Sequence, residues 1–314
     1  MTEPVTQQPD IAATLDKLLP RMRMAQLGGW ALLIVSVIIG LWLLVQLFSL
    51  PPDSKPLAQG IGIGFALAIF GAVSGPVMAR RAHEAALMPT LAREFGLTFQ
   101  AKAPGLAETF PHRLLPRDTR CVVDSLVMGK IASRPVRFAE VEMRTKGKNS
   151  RALFKGIVME FQNAVDLPSF FIALNSETTS GFLQPARLDP SGLSSVRHVS
   201  NFGNLYGVWA NDPDRARQAG IDAVIDAIIA AESDLGGEGT LYSAICDGRT
   251  TWLAFRKTRD IFRIGGLFAT RDSLLSQVQR AAQDFGLPLR LVKHLLEIEA
   301  QAARQIEAGP GPNP

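Results

Sequence analysis

Two long uncharged runs dominate the first quarter of the chain. From Met24 to Pro52 there are 29 residues without an ionisable charge, and from Pro56 to Ala79 another 24. A hydrocarbon core about 30 Å thick takes roughly 20 helical residues to cross, so each run predicts a transmembrane helix. Only Asp53-Ser54-Lys55 separates them, and so short a turn forces the helices antiparallel. A cleaved signal peptide does not fit the first run: its apolar core is too long, and no small-residue cleavage site follows in FSLPPDSK. A buried soluble helical hairpin is the competing account, and two consecutive uncharged runs of this length weigh against it.

The second run contains GIGIGFALAIFGAVSGP at 60–76, with five glycines in seventeen positions. A phosphate-cradling loop needs a strand before its glycines and an exposed helix start after them; a membrane helix smoothed for packing needs neither. Gly60, Gly64, Ala68, Gly71 and Gly75 are spaced four, four, three and four apart, which puts them on one helical stripe. Lipid supplies no hydrophobic force between helices, so close packing depends on small residues. Ser36 and Gly40 form a matching pair on the first run, and Gly40 and Ala68 lie at similar depth counted from the turn. This predicts a seam within one hairpin, with homodimerisation through the second span as the competing use.

Beyond the spans the periodicity changes. Ile11, Leu15, Leu18, Leu19 and Met22 predict a short amphipathic helix interrupted near Pro20. AHEAALMPTLAREFG predicts a helical neck ending at Gly96. SLVMGKIA and PVRFAEVEM predict a hairpin. In its second strand Ala139, Val141 and Met143 alternate with Glu140, Glu142 and Arg144, so one face is expected to be wet. LFKGIVMEF and SFFIALN read as two further strands, and a Ser/Gly/Pro/Thr-rich connection follows near 175–195. NLYGVWA is a strand; Asp212 and Pro213 start a helix whose buried stripe includes Ile221, Val224, Ile225, Ile228 and Ile229. LYSAIC and TTWLAF flank Asp247-Gly248 as a hairpin pair. Two helices close the chain, one stopped by Gly286 and Pro288 and the other over 289–306.

The expected organisation is a cytoplasmic tail with a short helix (1–24), a transmembrane helical hairpin (25–80), a helical neck (81–110), a cytoplasmic domain in two halves (111–308) and a disordered tail (309–314). The cytoplasmic domain reads as α+β, a mostly antiparallel sheet with helices packed on one side.

Charge sets the orientation. Lys17, Arg21 and Arg23 precede the first span and Arg80, Arg81 and Arg93 follow the second, whereas the connecting turn offers Lys55. The positive-inside rule then puts both termini in the cytoplasm of a bacterial inner membrane. Residues 82–314 carry 27 Lys+Arg against 25 Asp+Glu, without the basic stripe that nucleic-acid binding requires. Cys121 and Cys246 lie in apolar strand segments of a reducing compartment and are expected as buried thiols.

The order of two-span hairpin, helical neck, DSLVMGKIASRPVRFAEVEM, basic loop, ALFKGIVMEF and NLYGVWANDPDRAR resembles a two-span bacterial membrane-protein family catalogued as a domain of unknown function. The resemblance runs from about 85 to 300 and centres on Gly129, Phe138-Ala139-Glu140-Val141 and Phe154-Lys155-Gly156. It implies the same topology and brings no catalytic residues.

Candidate chemistry is sparse. GGEG at 236–239 follows a helix and precedes a strand, the order of a helix stop rather than a phosphate loop. His83-Glu84 opens like a zincin helix, but Leu87 stands where the second His would be, and the neighbouring Arg80 and Arg81 favour a surface role for His83. His112, His198 and His294 are isolated. Asp212 and Asp214 suit either a cation or a helix start; Glu140 and Glu142 suit either acid–base work or a solvated strand face. The basic loop holds Arg144, Lys146, Lys148, Arg151 and Lys155 without an acid, which fits a solvated connection or contact with anionic lipid headgroups.

The reading is a membrane-anchored binding or scaffolding protein without a cofactor or metal. Its expected partners are the bilayer, anionic headgroups and an unidentified protein, not nucleic acid. The alternative is a membrane-surface enzyme using Glu140, Glu142 and Asp212. A transporter component is weaker, because neither span carries an ionisable residue.

Overall fold

The computed structural model describes residues 11–49, 51, 55–116, 119–147, 150–174, 190–201, 203–218, 221–234, 239–257 and 262–307. They divide into two compact units, one of Met1–Glu94 with Phe262–Ala282 and one of Phe95–Ile261 with Gln283–Pro314.

The first unit is built on helices α1 (Ile11–Phe48) and α2 (Lys55–Glu94). Both are long and apolar enough to cross a membrane, and both leave large apolar side chains bare, with Trp42 60% and Phe70 72% exposed. The helices meet along small residues. A Cβ on Gly75 would stand 2.5 Å from the carbonyl oxygen of Gly29, and one on Gly29 would stand 2.9 Å from that of Gly75, so the two backbones touch with no room for a side chain. Ser36 fills the space over Gly71, Gly40 faces Ala68, and Leu43 covers Gly64. The partners descend on one helix as they ascend on the other, which makes the pair antiparallel. Helix α1 passes through Pro20 without the expected interruption. Leu15 and Met22 on either side are buried, and packing there offsets the hydrogen bond that proline removes.

The second unit is an antiparallel sheet with helices. Strands β1 (Thr98–Gln100), β2 (Thr119–Ile131), β3 (Arg134–Thr145), β4 (Ala152–Leu174), β5 (Ser194–Asn201), β6 (Asn204–Ala210) and β7 (Gly239–Lys257) run in the order β1-β2-β3-β4-β6-β5, with β7 paired to β4. Strand β4 is the hub: β3 pairs its first half, β6 its last residues, and β7 pairs along both. Helices α3 (Pro213–Gln218) and α4 (Asp222–Asp234) follow β6. Helix α5 (Arg271–Glu307) begins in the first unit and continues in the second.

Four expectations change. LFKGIVMEF and SFFIAL belong to one strand, β4, and the segments flanking Asp247-Gly248 belong to one strand, β7. Instead of turning back at Asp247-Gly248, β7 bends beside β4, whose register shifts between Gln162 and Phe170. Gly248 takes φ of 63° there. The buried Asn163 side chain makes the bend possible: its Nδ2 donates to Gly248 O (2.7 Å), and its Oδ1 accepts from Thr251 Oγ1 (2.7 Å). Helix α5 is also one piece across Gly286 and Pro288, because the buried Phe285, Leu291, Val292 and Leu295 on either side outweigh the local breakers. The single helix expected after Asp212 is divided into α3 and α4.

The wet face expected on β3 is covered at Glu140 and stays open at Arg144. Phe138 packs against Phe285 of α5 with ring centroids 5.9 Å apart, and Glu140 on that same face is buried. Alternation puts Ala139, Val141 and Met143 on the opposite face. There they share a core with Leu106, Leu114, Phe154 and Tyr242. β5, absent from the sequence reading, forms the sheet edge beside β6.

A buried polar pin holds α4 to the β5–β6 hairpin. Glu232 accepts hydrogen bonds from Tyr206 Oη (2.8 Å), Asn204 Nδ2 (2.8 Å) and Asn201 Nδ2 (3.2 Å). Desolvation raises its pKa above the ordinary 4.5, against the lowering effect of those three donors. The folded protein therefore binds this proton more tightly than the unfolded chain. The group's contribution to stability is fully present below pH 4.5 and is lost as pH rises through the folded pKa. Glu232→Gln should flatten that decline when denaturant midpoints are followed from about pH 4 to about pH 7, using Trp209 and Trp252 fluorescence with Trp30 and Trp42 replaced by Phe. Parallel pH profiles would refute it.

The seam makes a second prediction. An ideal Cβ on Gly40 lies 3.6 Å from the Ala68 Cβ, within disulfide reach. Oxidised Gly40→Cys/Ala68→Cys protein should crosslink within one chain on non-denaturing dilution. Crosslinks between chains alone would assign the small-residue stripe to a dimer.

Candidate functional site: the polar end of the hairpin

The residues that carried candidate chemistry in the sequence are mostly engaged in structure. Glu142 Oε1 accepts from Arg144 Nε at 2.5 Å and stands opposite Lys155 across the β3–β4 ladder. Asp212 Oδ1 caps α3 by accepting from the Arg215 backbone N–H at 3.0 Å, and Asp214 pairs with Arg217 at 3.0 Å. His198 and His294 are exposed on β5 and α5. Among the described residues no three His, Cys, Asp or Glu side chains gather into a metal-binding group.

The basic loop is closed by Thr145 N–H donating to Arg151 O and Arg151 N–H donating to Thr145 Oγ1, both 3.0 Å. Arg144, Lys146 and Arg151 are exposed and Lys155 is half-buried on β4; Lys148 lies outside the described residues. Glu142 supplies the acid that the loop itself lacks. Of the small-residue stripe, Ser36, Gly40, Gly64, Ala68, Gly71 and Gly75 come together between α1 and α2, whereas Gly60 is exposed with nothing near its Cβ position. Gly29, outside the expected stripe, meets Gly75 backbone to backbone; its signal was the Gly28-Gly29 pair seven residues before Ser36.

In the sheet unit a cavity of about 380 Å³ is lined by His112, Arg113, Ser169, Asn211, Cys246 and Asp247, among others. Its polar groups are partly committed: Arg113 donates to Ser191 O at 2.6 Å, and Ser169 Oγ to Asp247 Oδ1 at 3.5 Å. Cys121 borders a second hollow; burial pushes its thiol up to about 11, which keeps it protonated and weakly nucleophilic.

The most constructed site lies in the hairpin unit. His83, expected at the surface, is fully buried. Its Nδ1 accepts the Gly266 backbone N–H at 3.1 Å, and its Nε2 lies 3.1 Å from Met22 O. Those partners fix a neutral imidazole with the proton on Nε2. One ring thus joins α1, α2 and the returning segment Phe262–Thr270. Gln277 Oε1 accepts from the Gly265 N–H at 2.6 Å, and Gln26 Nε2 donates to Ala269 O (2.7 Å) and Gly266 O (3.3 Å). Arg271 grips Asp16 through two hydrogen bonds of 2.9 and 2.8 Å. Gly265 needs its φ of 86° and the missing side chain, since a Cβ would collide with the imidazole of His83. Beside this loop is a cavity of about 520 Å³ lined by Pro76, Val77, Arg80, Gly265–Ala269, Ser273 and Gln277. Nothing in the spacing of IFRIGGLFATRD marks it as a partner of residues more than 170 positions earlier.

No family model matches the chain, and no curated protein matches it. Among solved structures, the crystal structure of the mycobacterial trehalose monomycolate transport factor A, TtfA, is similar over 68% of this chain and 97% of that one, at 12% identity and a TM-score of 0.35. A likeness at that level decides neither fold nor function.

Proposed function

We propose that this chain is a membrane-anchored binding or scaffolding protein, whose α1–α2 hairpin spans a bacterial inner membrane and whose α+β unit works in the cytoplasm. The carrying observation is the bare apolar surface of two helices that each contain an uncharged stretch of membrane-spanning length. In water that surface would be an aggregation site; in lipid it is solvated. The resemblance to a two-span family of unknown function supports the same topology. The basic loop fits contact with anionic headgroups, led by exposed Lys146 and Arg151, each worth about 1 kcal/mol near such a surface. A membrane-surface enzyme is the second reading, favoured by the mixed His112, Arg113 and Asp247 lining of the smaller cavity.

Orientation is tested with single cysteines in a background lacking Cys121 and Cys246. Ser54→Cys should react with an impermeant thiol reagent outside intact cells, whereas Thr2→Cys and Asn313→Cys should react after lysis only. The reverse pattern would overturn the topology. For the loop, hydrogen exchange over 145–152 in nanodiscs should slow when zwitterionic lipid is replaced by anionic lipid, and recover in high salt. Exchange indifferent to lipid charge would leave the loop merely solvated.

A further inference from the structure

The returning segment Phe262–Thr270 is held from behind and bare in front. His83, Gln26 and Gln277 satisfy its backbone polar groups, and Leu267 packs inward, buried, near Gly29. Phe268 points the other way, 75% exposed, edge-on to Trp30 with ring centroids 5.0 Å apart. A loop pinned so firmly cannot be presenting its largest apolar ring by slackness. Aromatic side chains gathered where an apolar helix surface gives way to basic residues are characteristic of the membrane–water boundary. Trp30 lies near the start of the first uncharged run, and Arg80 just past the end of the second.

The adjoining cavity has the same two-sided chemistry. Pro76, Val77, Leu267, Phe268 and Ala269 form its apolar part, and Arg80, Ser273 and Gln277 its polar part. The apolar part is continuous with the bare surface of α2, where Val73 and Met78 are 60% and 61% exposed. Glu84 Oε1 stands 3.4 Å from Arg80 Nε and orients the guanidinium by that edge. Arg23, Arg81 and Arg263 are exposed in the same unit, and their charge suits an anionic leaflet.

The geometry points to a phospholipid site: the returning segment lies in the headgroup layer, with Phe268 and Trp30 at the boundary with the acyl chains, and the cavity takes the headgroup end of one anionic phospholipid with Arg80 toward its phosphate. The apolar share of the lining favours a lipid over a free anion. A volume of about 520 Å³ is within the usual range for a ligand pocket. This inference rests on the membrane-spanning reading of α1 and α2.

The test uses the full-length protein reconstituted with phospholipids brominated either near the headgroup or deep in the chain. Two single-tryptophan variants are compared, one keeping Trp42 and one carrying Phe268→Trp, with the other tryptophans replaced by Phe. The residue at 268 should be quenched strongly by shallow bromine and weakly by deep bromine, and Trp42 by chain bromine. Quenching of Trp42 without quenching at 268 would overturn the interfacial site while leaving the spans intact. Absence of quenching at both would overturn the spans too. Native mass spectrometry in detergent tests the ligand: phosphatidylglycerol should be retained several-fold over phosphatidylcholine, Arg80→Gln should abolish that preference, and Arg93→Gln, at an exposed position further along α2, should preserve it. Equal retention of the two lipids, an unchanged preference in Arg80→Gln, or displacement of lipid by inorganic phosphate would each overturn the assignment.

Discussion

Backbone amides and carbonyls that leave regular secondary structure away from water must find partners, and this constraint explains where distant segments of the chain meet. In the hairpin unit the Gly266 amide ends on the His83 imidazole, whose other ring nitrogen reaches the Met22 carbonyl within α1. In the sheet unit the Gly248 carbonyl, released where β7 bends, ends on Asn163, and Arg134 takes up the carbonyls of Asn163 and Ala164 at 2.9 and 3.1 Å. In each case a polar side chain supplies the acceptor or donor that an irregular stretch of backbone needs. An unmade bond at any of them would leave a buried polar group costing about 1–3 kcal/mol.

Charged groups follow the same logic at higher stakes. Lys257 and Asp284 form an ion pair at 3.0 Å with both side chains almost wholly buried. Removing one partner of such a pair characteristically costs about 3–5 kcal/mol, although the intact pair adds little net stability over an apolar replacement. Its value is directional. It fixes which turn of α5 meets the end of β7, while the Phe285–Phe138 contact alone could tolerate sliding.

Local pattern made much of this architecture legible, and non-local packing hid the rest. The uncharged runs, the β2–β3 hairpin, the NLYGVWA strand and the Asp212 cap each depend on neighbours within a few residues, and each occurs where the pattern places it. Pro20, Asp247-Gly248 and Gly286-Pro288 misled for the opposite reason. Their intrinsic preference for breaking an element is real, but it is outweighed by Leu15 and Met22, by the Asn163 network, and by the buried residues on either side of the breakers in α5. Glu140 looked solvated because its strand alternates, and alternation does not reveal a second covering layer. The site at the polar end of the hairpin was least legible. Its signal is divided among Gln26, His83, Gly265, Gly266 and Gln277, which share no motif and meet only in the folded unit.

The wide separation of Asp16 from Arg271, and of His83 from Gly266, has a bearing on how the protein is made. Synthesis runs from the N-terminus at roughly 5–20 residues per second. The ribosome therefore works for about 10–30 s between finishing α2 and delivering the segment that completes its polar end. Throughout that interval His83 has no Gly266 amide to accept, and Asp16 has no Arg271. The nascent hairpin must wait in an unfinished form, its polar end open, until a segment some 170 residues further along the chain arrives to close it.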